Sequence, residues 1–413
     1  MLYISTQNLI SKLFYINLLI NKVFLINNIA MDLFLFKRFK TKNINKLSSL
    51  LPTSFIKFNK IKNKKLFKSV LNYRYSTIYS TNNTFQEFGN TPVASLTILD
   101  FNNENLIASG NDKGYINIYK LTKINNRMNF ISIIKYKAHK HRISALISLL
   151  WNNENFLVSG TVDSEIKLFG LFDLTNNIFQ PKFTLPNNND YIKTICSITY
   201  KDELLIATGN VNFSITIWSL SDCKQPKFIL EGHTHYIRSL TVIQVNKFKN
   251  EYLLASGSYD ANIKVWKLGR KEPLINIAGH EYVINALITI SRRNNNNSNE
   301  CLLVSGSGDR TIKVWNLNNV DISNTTNSIN ITKHTYKFNV TSPVNSLCYM
   351  YFNNEKVIIS GSKDSLIRIW SLSITHSPKY VLYGQTSSIY SLVSYSFGKE
   401  RLLLSGSNSI RVY

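Results

Sequence analysis

The 413-residue chain has only four cysteines, Cys196, Cys223, Cys301 and Cys348. None lies in a CxxC pair and no His/Cys cluster has zinc spacing, so neither a disulfide framework nor a metal site is expected. Four separate thiols fit a reducing compartment, which favours the cytoplasm. Long apolar runs are also missing. The best candidate, "KLFYINLLINKVFLI" (Lys12 to Ile26), is interrupted by Asn17, Asn21 and Lys22. An unbroken span of about 20 apolar residues does not occur there, so no membrane span is expected. No helical period of ten or more residues interrupts the chain beyond residue 83. No phosphate loop or nucleotide fingerprint appears, and no cofactor is expected.

Acidic residues are scarce, 24 against 48 Lys and Arg, for a net charge of +24. The imbalance is uneven. Up to Asn82 there are 14 basic residues and one acid, Asp32, whereas the rest carries 34 and 23. Residues 1–80 therefore read as a basic extension separate from the main domain at 83–413. Three readings of it stand open. The apolar run is a membrane or signal segment. The basic, hydroxyl-bearing stretch from Met31, with Arg74 two residues before Ser76, is a mitochondrial transit peptide. Or the Ile, Lys, Asn and Phe reflect AT-rich codons in a disordered tail or a mis-assigned start. The transit-peptide reading would make the protein mitochondrial.

What is abundant beyond residue 83 is repetition. "LIASGNDKGYINIYKL" from Leu106 recurs as "FLVSGTVDSEIKLFGL", "LIATGNVNFSITIWSL", "LLASGSYDANIKVWKL", "LLVSGSGDRTIKVWNL" and "VIISGSKDSLIRIWSL". A shorter "LLLSGSNSIRVY" ends the chain. The aromatics near the ends of these copies are Tyr119, Phe169, Trp218, Trp266, Trp315, Trp370 and Tyr413, at intervals of 50, 49, 48, 49, 55 and 43 residues. Each copy holds two short β-branched strands around a Gly/Ser/Asp turn. A third strand precedes them, as in "VINALITI", and a fourth candidate precedes that, as in "PKFIL", "PLINI" and "PKYVL". Seven four-stranded antiparallel sheets are predicted, an all-β chain.

The "GH", "SGSxD" and "IKVW" of these copies resemble WD repeats, whose sheets are the blades of a β-propeller. The resemblance covers residues 83–413 and implies seven blades. It implies that His, Ser/Thr, Asp and Trp form a structural tetrad, complete for His233, Ser256, Asp260, Trp266 and for His280, Ser305, Asp309, Trp315. His139, Ser159 and Asp163 fit with Phe169 in place of the indole. Thr208 and Trp218 fit, with Asn188 and Asn212 at the His and Asp positions. Ser360, Asp364 and Trp370 fit without a histidine, since Val340 falls there, and the first and last blades keep little beyond Ser109 and Ser405. A Ser-His-Asp catalytic site is the competing reading. Recurrence in neighbouring copies and the lack of a nucleophile elbow argue for the structural one. The final copy ends on its third strand, and "NTFQEFG" (Asn83 to Gly89) is placed to supply the fourth.

The resemblance places function on the face built by the loops after "GH" and the turns carrying the tetrad Asp. Arg142, Tyr191, Lys193, Tyr236, Arg238, Tyr259, Arg310, Lys363 and Tyr390 fall there, and Tyr and Arg dominate binding hot spots. A basic, aromatic face suits an acidic or phosphorylated peptide, or RNA. The expected role is a non-enzymatic scaffold or adaptor, a monomeric propeller within a larger complex. The competing roles are an RNA- or ribosome-associated protein and a ubiquitin-ligase substrate receptor, although no recruiting domain is recognisable. The insertions "RRNNNNSNE" (Arg292 to Glu300) and "NNVDISNTTNSINITKH" (Asn318 to His334) read as solvated loops.

Overall fold

The computed structural model describes residues 84–85 and 91–413, apart from 102–103, 125–126, 173–178, 187–189, 245–251, 294–298, 319–327, 354, 375–376 and 398–399. The chain divides into Met1–Val70 and Leu71–Tyr413, and every described residue belongs to the second unit. The basic extension at 1–80 lies outside the described residues.

The repeats fold into seven sheets, most of them four-stranded and antiparallel. In each, the first three strands follow one another in the chain and lie side by side. Blade 4 shows the pattern with Ile237–Gln244, Tyr252–Ser258, Asn262–Trp266 and Ile275–Ala278. The first strands of blades 1 to 7 are Val93–Phe101, Ile143–Trp151, Ile192–Tyr200, Ile237–Gln244, Ile284–Arg293, Val344–Phe352 and Ser391–Phe397. Each touches the next, and the seventh touches the first, so the sheets close into a ring. The molecule is a seven-bladed β-propeller.

The second strands read "LLASGS" or similar because a blade is covered on both faces by its neighbours. Leu253, Leu254 and Ala255 are all buried, where a one-sided sheet would alternate. The glycine of "SG" has a specific cause. A Cβ on Gly257 would meet Ile284 Cγ2 of the next blade at 2.6 Å, and one on Gly406 would meet Val93 Cγ1 of the first blade at 3.0 Å. Each blade thus leaves a notch that receives the first β-branched residue of its neighbour, around the whole ring. Trp218, Trp266, Trp315 and Trp370 are fully buried on the third strands and fill the same inter-blade layers. Such packing accounts for most of the stability, at about 25 cal/mol per Å² of apolar surface removed from water.

The ring is completed by Thr84–Phe85, which pairs antiparallel with Ile410–Val412 as the outermost strand of blade 7. Among the described residues Thr84 pairs with Arg411 and Phe85 with Ile410; the rest of "NTFQEFG" lies outside the described residues.

Both insertions depart from the expected loops. The blade 5 ladder runs on to Arg293↔Asn299, so part of the first insertion lengthens a hairpin. Within the second, Ile329–Ile331 adds to blade 4 as a fifth strand, parallel to Ile275–Ala278. Two Ile-Asn-Ile triplets lie opposite each other there, Ile275↔Ile329, Asn276↔Asn330 and Ile277↔Ile331. Ile329 and Ile331 pack against the core shared by blades 4 and 5. Three alternating residues are too short a pattern to stand out, and an open sheet edge is what recruits them.

Among the described residues, no helix is long and apolar enough to cross a membrane. Cys301 and Cys348 are buried free thiols, and burial pushes the Cys196 thiol up to about 12.

Candidate functional site

In blades 4 and 5 four side chains form a continuous buried chain of hydrogen bonds. Trp315 Nε1 donates to Ser305 Oγ at 2.9 Å, Ser305 Oγ meets His280 Nε2 at 2.6 Å, and His280 Nδ1 meets Asp309 Oδ2 at 2.7 Å. The same atoms of Trp266, Ser256, His233 and Asp260 are 2.8, 2.7 and 2.7 Å apart. The carboxylate also organises its own turn. Asp309 Oδ2 accepts from Glu281 N and Oδ1 from Thr311 N. Burial works to raise the Asp309 pKa, but the hydrogen bonds from His280 and Thr311 outweigh it and hold the carboxyl below its usual range. Burial lowers the His280 pKa, so its ring is neutral and Nδ1–H donates to Asp309. Ser305 is fully buried and already accepts from the indole. A substrate carbonyl has no path to its Oγ, so this Ser-His-Asp array braces a turn against a strand.

Elsewhere the array is rewired. In blade 2, His139 Nε2 meets Ser159 Oγ at 2.7 Å, but Asp163 does not complete the set. Its Oδ2 accepts from the backbone N of Lys140 and His141, and Glu165 Oε2 stands 3.7 Å from His139 Nδ1 instead. Glu165 is drawn there by Lys167, 2.9 Å away, beside a cleft that His139 and Asp163 also line. In blade 3, Thr208 Oγ1 donates to Thr216 O, and Trp218 Nε1 has no hydrogen-bond partner among the described residues. Asn212 bonds Asp190, and Asn188 lies outside the described residues.

Two substitutes were not visible as members of the pattern. In blade 6, Trp370 Nε1 donates to Ser360 Oγ at 2.9 Å, and buried Arg368 takes over the histidine's partner. Its guanidinium reaches Asp364 Oδ2 at 2.7 Å and Oδ1 at 3.2 Å, and Thr341 Oγ1 at 2.6 Å. Arg368 occupies the position of Lys264 and Lys313, and a fork there reaches both carboxylate oxygens where an ammonium cannot. In blade 7, Gln385 Nε2 donates to Ser405 Oγ at 2.7 Å and Ser409 Oγ donates to Gln385 Oε1 at 3.0 Å. The Tyr413 hydroxyl also bonds Ser405, in the place of the indole. "YGQ" in the position of "GH" was the available signal. In blade 1, Asn111 Oδ1 caps its own turn by accepting from Lys113 N and Tyr115 N.

His139 carries a pH prediction. Burial, reinforced by the Lys167 charge, lowers its pKa from 6.5 to about 4. Between those values the unfolded chain takes up a proton that the folded one refuses, so stability is lost as pH falls below 6.5. The loss due to this ring is about 2 kcal/mol between pH 7 and pH 5. His139→Gln, which copies Gln385, should remove that part of the pH dependence. Denaturant melts of parent and variant at both pH values measure the difference; parallel losses would show that His139 does not titrate in this way.

The turns that carry the tetrad Asp are tied to the start of the first strands. Tyr259 N donates to Tyr236 O, Gly308 N to Val283 O and Lys363 N to Pro343 O. The residue after the Asp position has positive φ in six blades, at Gly114, Ser164, Phe213, Ala261, Arg310 and Ser365. Phe213, at φ 75° and 38% exposed, is a bulky residue in a region that disfavours it. It belongs to an aromatic group that sequence reasoning missed in part. His235 stacks on Tyr259 at 5.2 Å, and Phe213 lies 5.6 Å from His235 and 5.8 Å from Tyr236. Arg238 sits 5.8 Å over the Tyr259 ring. Arg142, from blade 2, pairs with Asp112 of blade 1 at 3.3 Å and lies 5.7 Å over Tyr390 of blade 7. Burial lowers the Lys193 pKa first, and the charges of Arg238 and Arg142 lower it further. Thus Arg142, Lys193, Tyr236, Arg238, Tyr259 and Tyr390 gather at one end of the ring. Tyr191 is exposed beside them, while Arg310 and Lys363 stand on the separate turns of blades 5 and 6.

The family profile "WD domain, G-beta repeat" (WD40) matches residues 224–267, 271–316 and 331–371, which are the stretches holding the best-formed arrays. The chain carries WD40 repeats. Among solved structures, the WD40 β-propeller domain of Doa1 is similar in fold. The match has a TM-score of 0.58 at 16% identity and covers 81% of this chain and 97% of that one. Comparison of the sequence with curated proteins finds no match. The profile leaves out blades 1 to 3 and blade 7, where the indole or the His and Asp of the array are replaced. WD40 propellers are typically protein-interaction scaffolds.

Proposed function

We propose that this WD40 propeller is a non-enzymatic interaction scaffold, and that it binds an acidic partner protein on the face where the first strands begin. The observation that supports this reading most is the aromatic and cationic group of Phe213, His235, Tyr236, Tyr259, Arg238 and Arg142 on adjoining blades. Phe213 and Tyr259 are 38% and 41% exposed although each is held by ring contacts. Rigid, half-exposed aromatics lose little conformational entropy on binding and bury large areas. Guanidinium groups above tyrosine rings are shielded from water, which strengthens their attraction for anions.

Tyr236→Ala combined with Tyr259→Ala should leave melting within about 1 kcal/mol of the parent, because neither ring is buried in the blade core. The same pair should reduce recovery of co-purifying proteins from native cells by about tenfold, as expected for loss of hot-spot aromatics. Affinity purification with quantitative mass spectrometry reads the effect. Unchanged recovery with an intact fold would rule out this face as the docking site.

A further inference from the structure

Six of the seven first strands carry a β-bulge at the same place. The register shifts leave out Ala94, Ser144, Lys193, Arg238, Asn285 and Asn345. Bulges re-aim a side chain out of the ladder. Three of the polar ones use this to fasten neighbouring blades. Ser144 Oγ donates to Ile192 O, Asn285 Nδ2 to Val344 O at 2.8 Å and Asn345 Nδ2 to Ile389 O at 3.2 Å. Each acceptor lies at the start of the next blade's first strand. Blades 3 and 4 break the rule with two consecutive cations. Among the described residues, neither Lys193 nor Arg238 has an acid within ion-pair distance, and Arg238 Nε is buried without a hydrogen-bond partner. Arg142 leans in from blade 2, between Asp112 and the Tyr390 ring.

We propose that Lys193 and Arg238, with Arg142, form a phosphate-binding subsite at the mouth of the central channel, which takes a phosphorylated side chain of the partner protein. The inference rests on the docking face described above and names its ligand chemistry. Two neighbouring cations without counter-ions repel each other, and burial lowers the pKa of both, with Arg142 adding to each shift. One carboxylate neutralises only half of that excess, whereas a phosphate monoester carries close to two charges and three acceptor oxygens. Arg238 presents a planar fork and Lys193 a compact ammonium, the pairing that suits phosphate. The other bulge residues, Ala94, Ser144, Asn285 and Asn345, are neutral, so the charge is confined to one side of the mouth.

The fold itself supplies the test. Lys193→Asn with Arg238→Asn copies blades 5 and 6, and should restore two inter-blade hydrogen bonds. The double variant is expected to melt at or above the parent while losing the anion site. Should it fail to fold, Lys193→Gln alone replaces it. Binding is read on the full chain by fluorescence anisotropy with a short labelled peptide centred on phosphoserine, the same peptide with Ser or Glu, and a labelled oligouridylate. Inorganic phosphate is the competitor. The phosphopeptide is expected to bind about tenfold or more tightly than the Glu peptide, and the double variant to lose about tenfold or more. Equal binding of the phosphoserine and Ser peptides overturns the proposal, as does full retention by the variant. Inorganic phosphate binding as tightly as the peptide would overturn the protein-borne source. Tighter binding of oligouridylate, lost in the variant and steeply salt-dependent, would make the site one for RNA. Partner recovery that survives the Asn variants but falls in the Tyr236/Tyr259 pair would remove this subsite and leave the docking face standing.

Discussion

A chain beginning at Val93 is expected to melt at least about 5 °C below one beginning at Ser76, or to be poorly soluble. Both keep every residue of the first blade's strands, but only the longer one retains Thr84–Phe85. That segment is the sole cover on the outer edge of Ile410–Val412 among the described residues. Without it, blade 7 has three strands, and the backbone groups of Ile410 and Arg411 that face outward lose their partners. Each lost hydrogen bond is worth about 1 kcal/mol, and apolar surface of the blade is uncovered as well, for a total of about 3 kcal/mol. An open edge also invites pairing with other chains, so the loss should show in solubility as well as in melting. Matching melts for the two chains would mean that the two-residue pairing contributes nothing to closure. The Ser76 chain is expected to melt as the full chain does. A failure there would mean that residues 1–75 contribute to folding, and neither a cleaved transit peptide nor a mis-assigned start would then describe them.

His280→Ala should destabilise the fold by about 3 kcal/mol. The imidazole is fully enclosed and links Asp309 to Ser305. Its removal leaves Asp309 Oδ2 with the Glu281 backbone N–H alone, a loss of about 1–3 kcal/mol for a buried group left short of partners. The vacated ring adds a cavity term, because packed surroundings collapse only in part. His139→Ala should cost less, since His139 Nδ1 has no hydrogen-bond partner among the described residues and Asp163 is engaged elsewhere. Partner recovery at a permissive temperature should survive both substitutions, because the array lies beneath the face. Denaturant melts of the two variants decide the matter. Equal stability of His280→Ala and the parent would remove the array's bracing role.

The pH response of the same pair has a definite sign. Asp309 is held below its usual range, so its contribution is present above the unfolded carboxyl pKa and lost as pH falls through the folded value. His280 is lowered by burial, so it also resists protonation and its contribution fades below pH 6.5. Both effects point to loss of stability on acidification.

The repeat period and the strand pattern were legible in the amino-acid sequence by itself. Buried strands, β-branched runs and the glycine notch recur at each copy because every blade meets the same neighbour on each side. Periodic environment leaves a periodic record. The His, Ser, Asp and Trp positions of blades 4 and 5 were legible for the same reason, since four residue types at fixed spacing recur together.

Only the tertiary structure decided what replaces them when the pattern fails. Arg368 reaches Asp364 from the third strand and Gln385 bonds Ser405, while Glu165 only stands beside His139 at 3.7 Å. A hydrogen bond requires an atom in a place, and several side chains rooted at different positions reach the same place. Ile329–Ile331 became a strand because an unpaired edge lay within reach, and three residues carry too little pattern to announce it. The repeat pattern put Arg142, Lys193 and Arg238 on one face, and the tertiary structure decided that their charges meet there. They lie about fifty residues apart in the sequence on three successive blades, and ring closure together with the bulges at Lys193 and Arg238 brings them together.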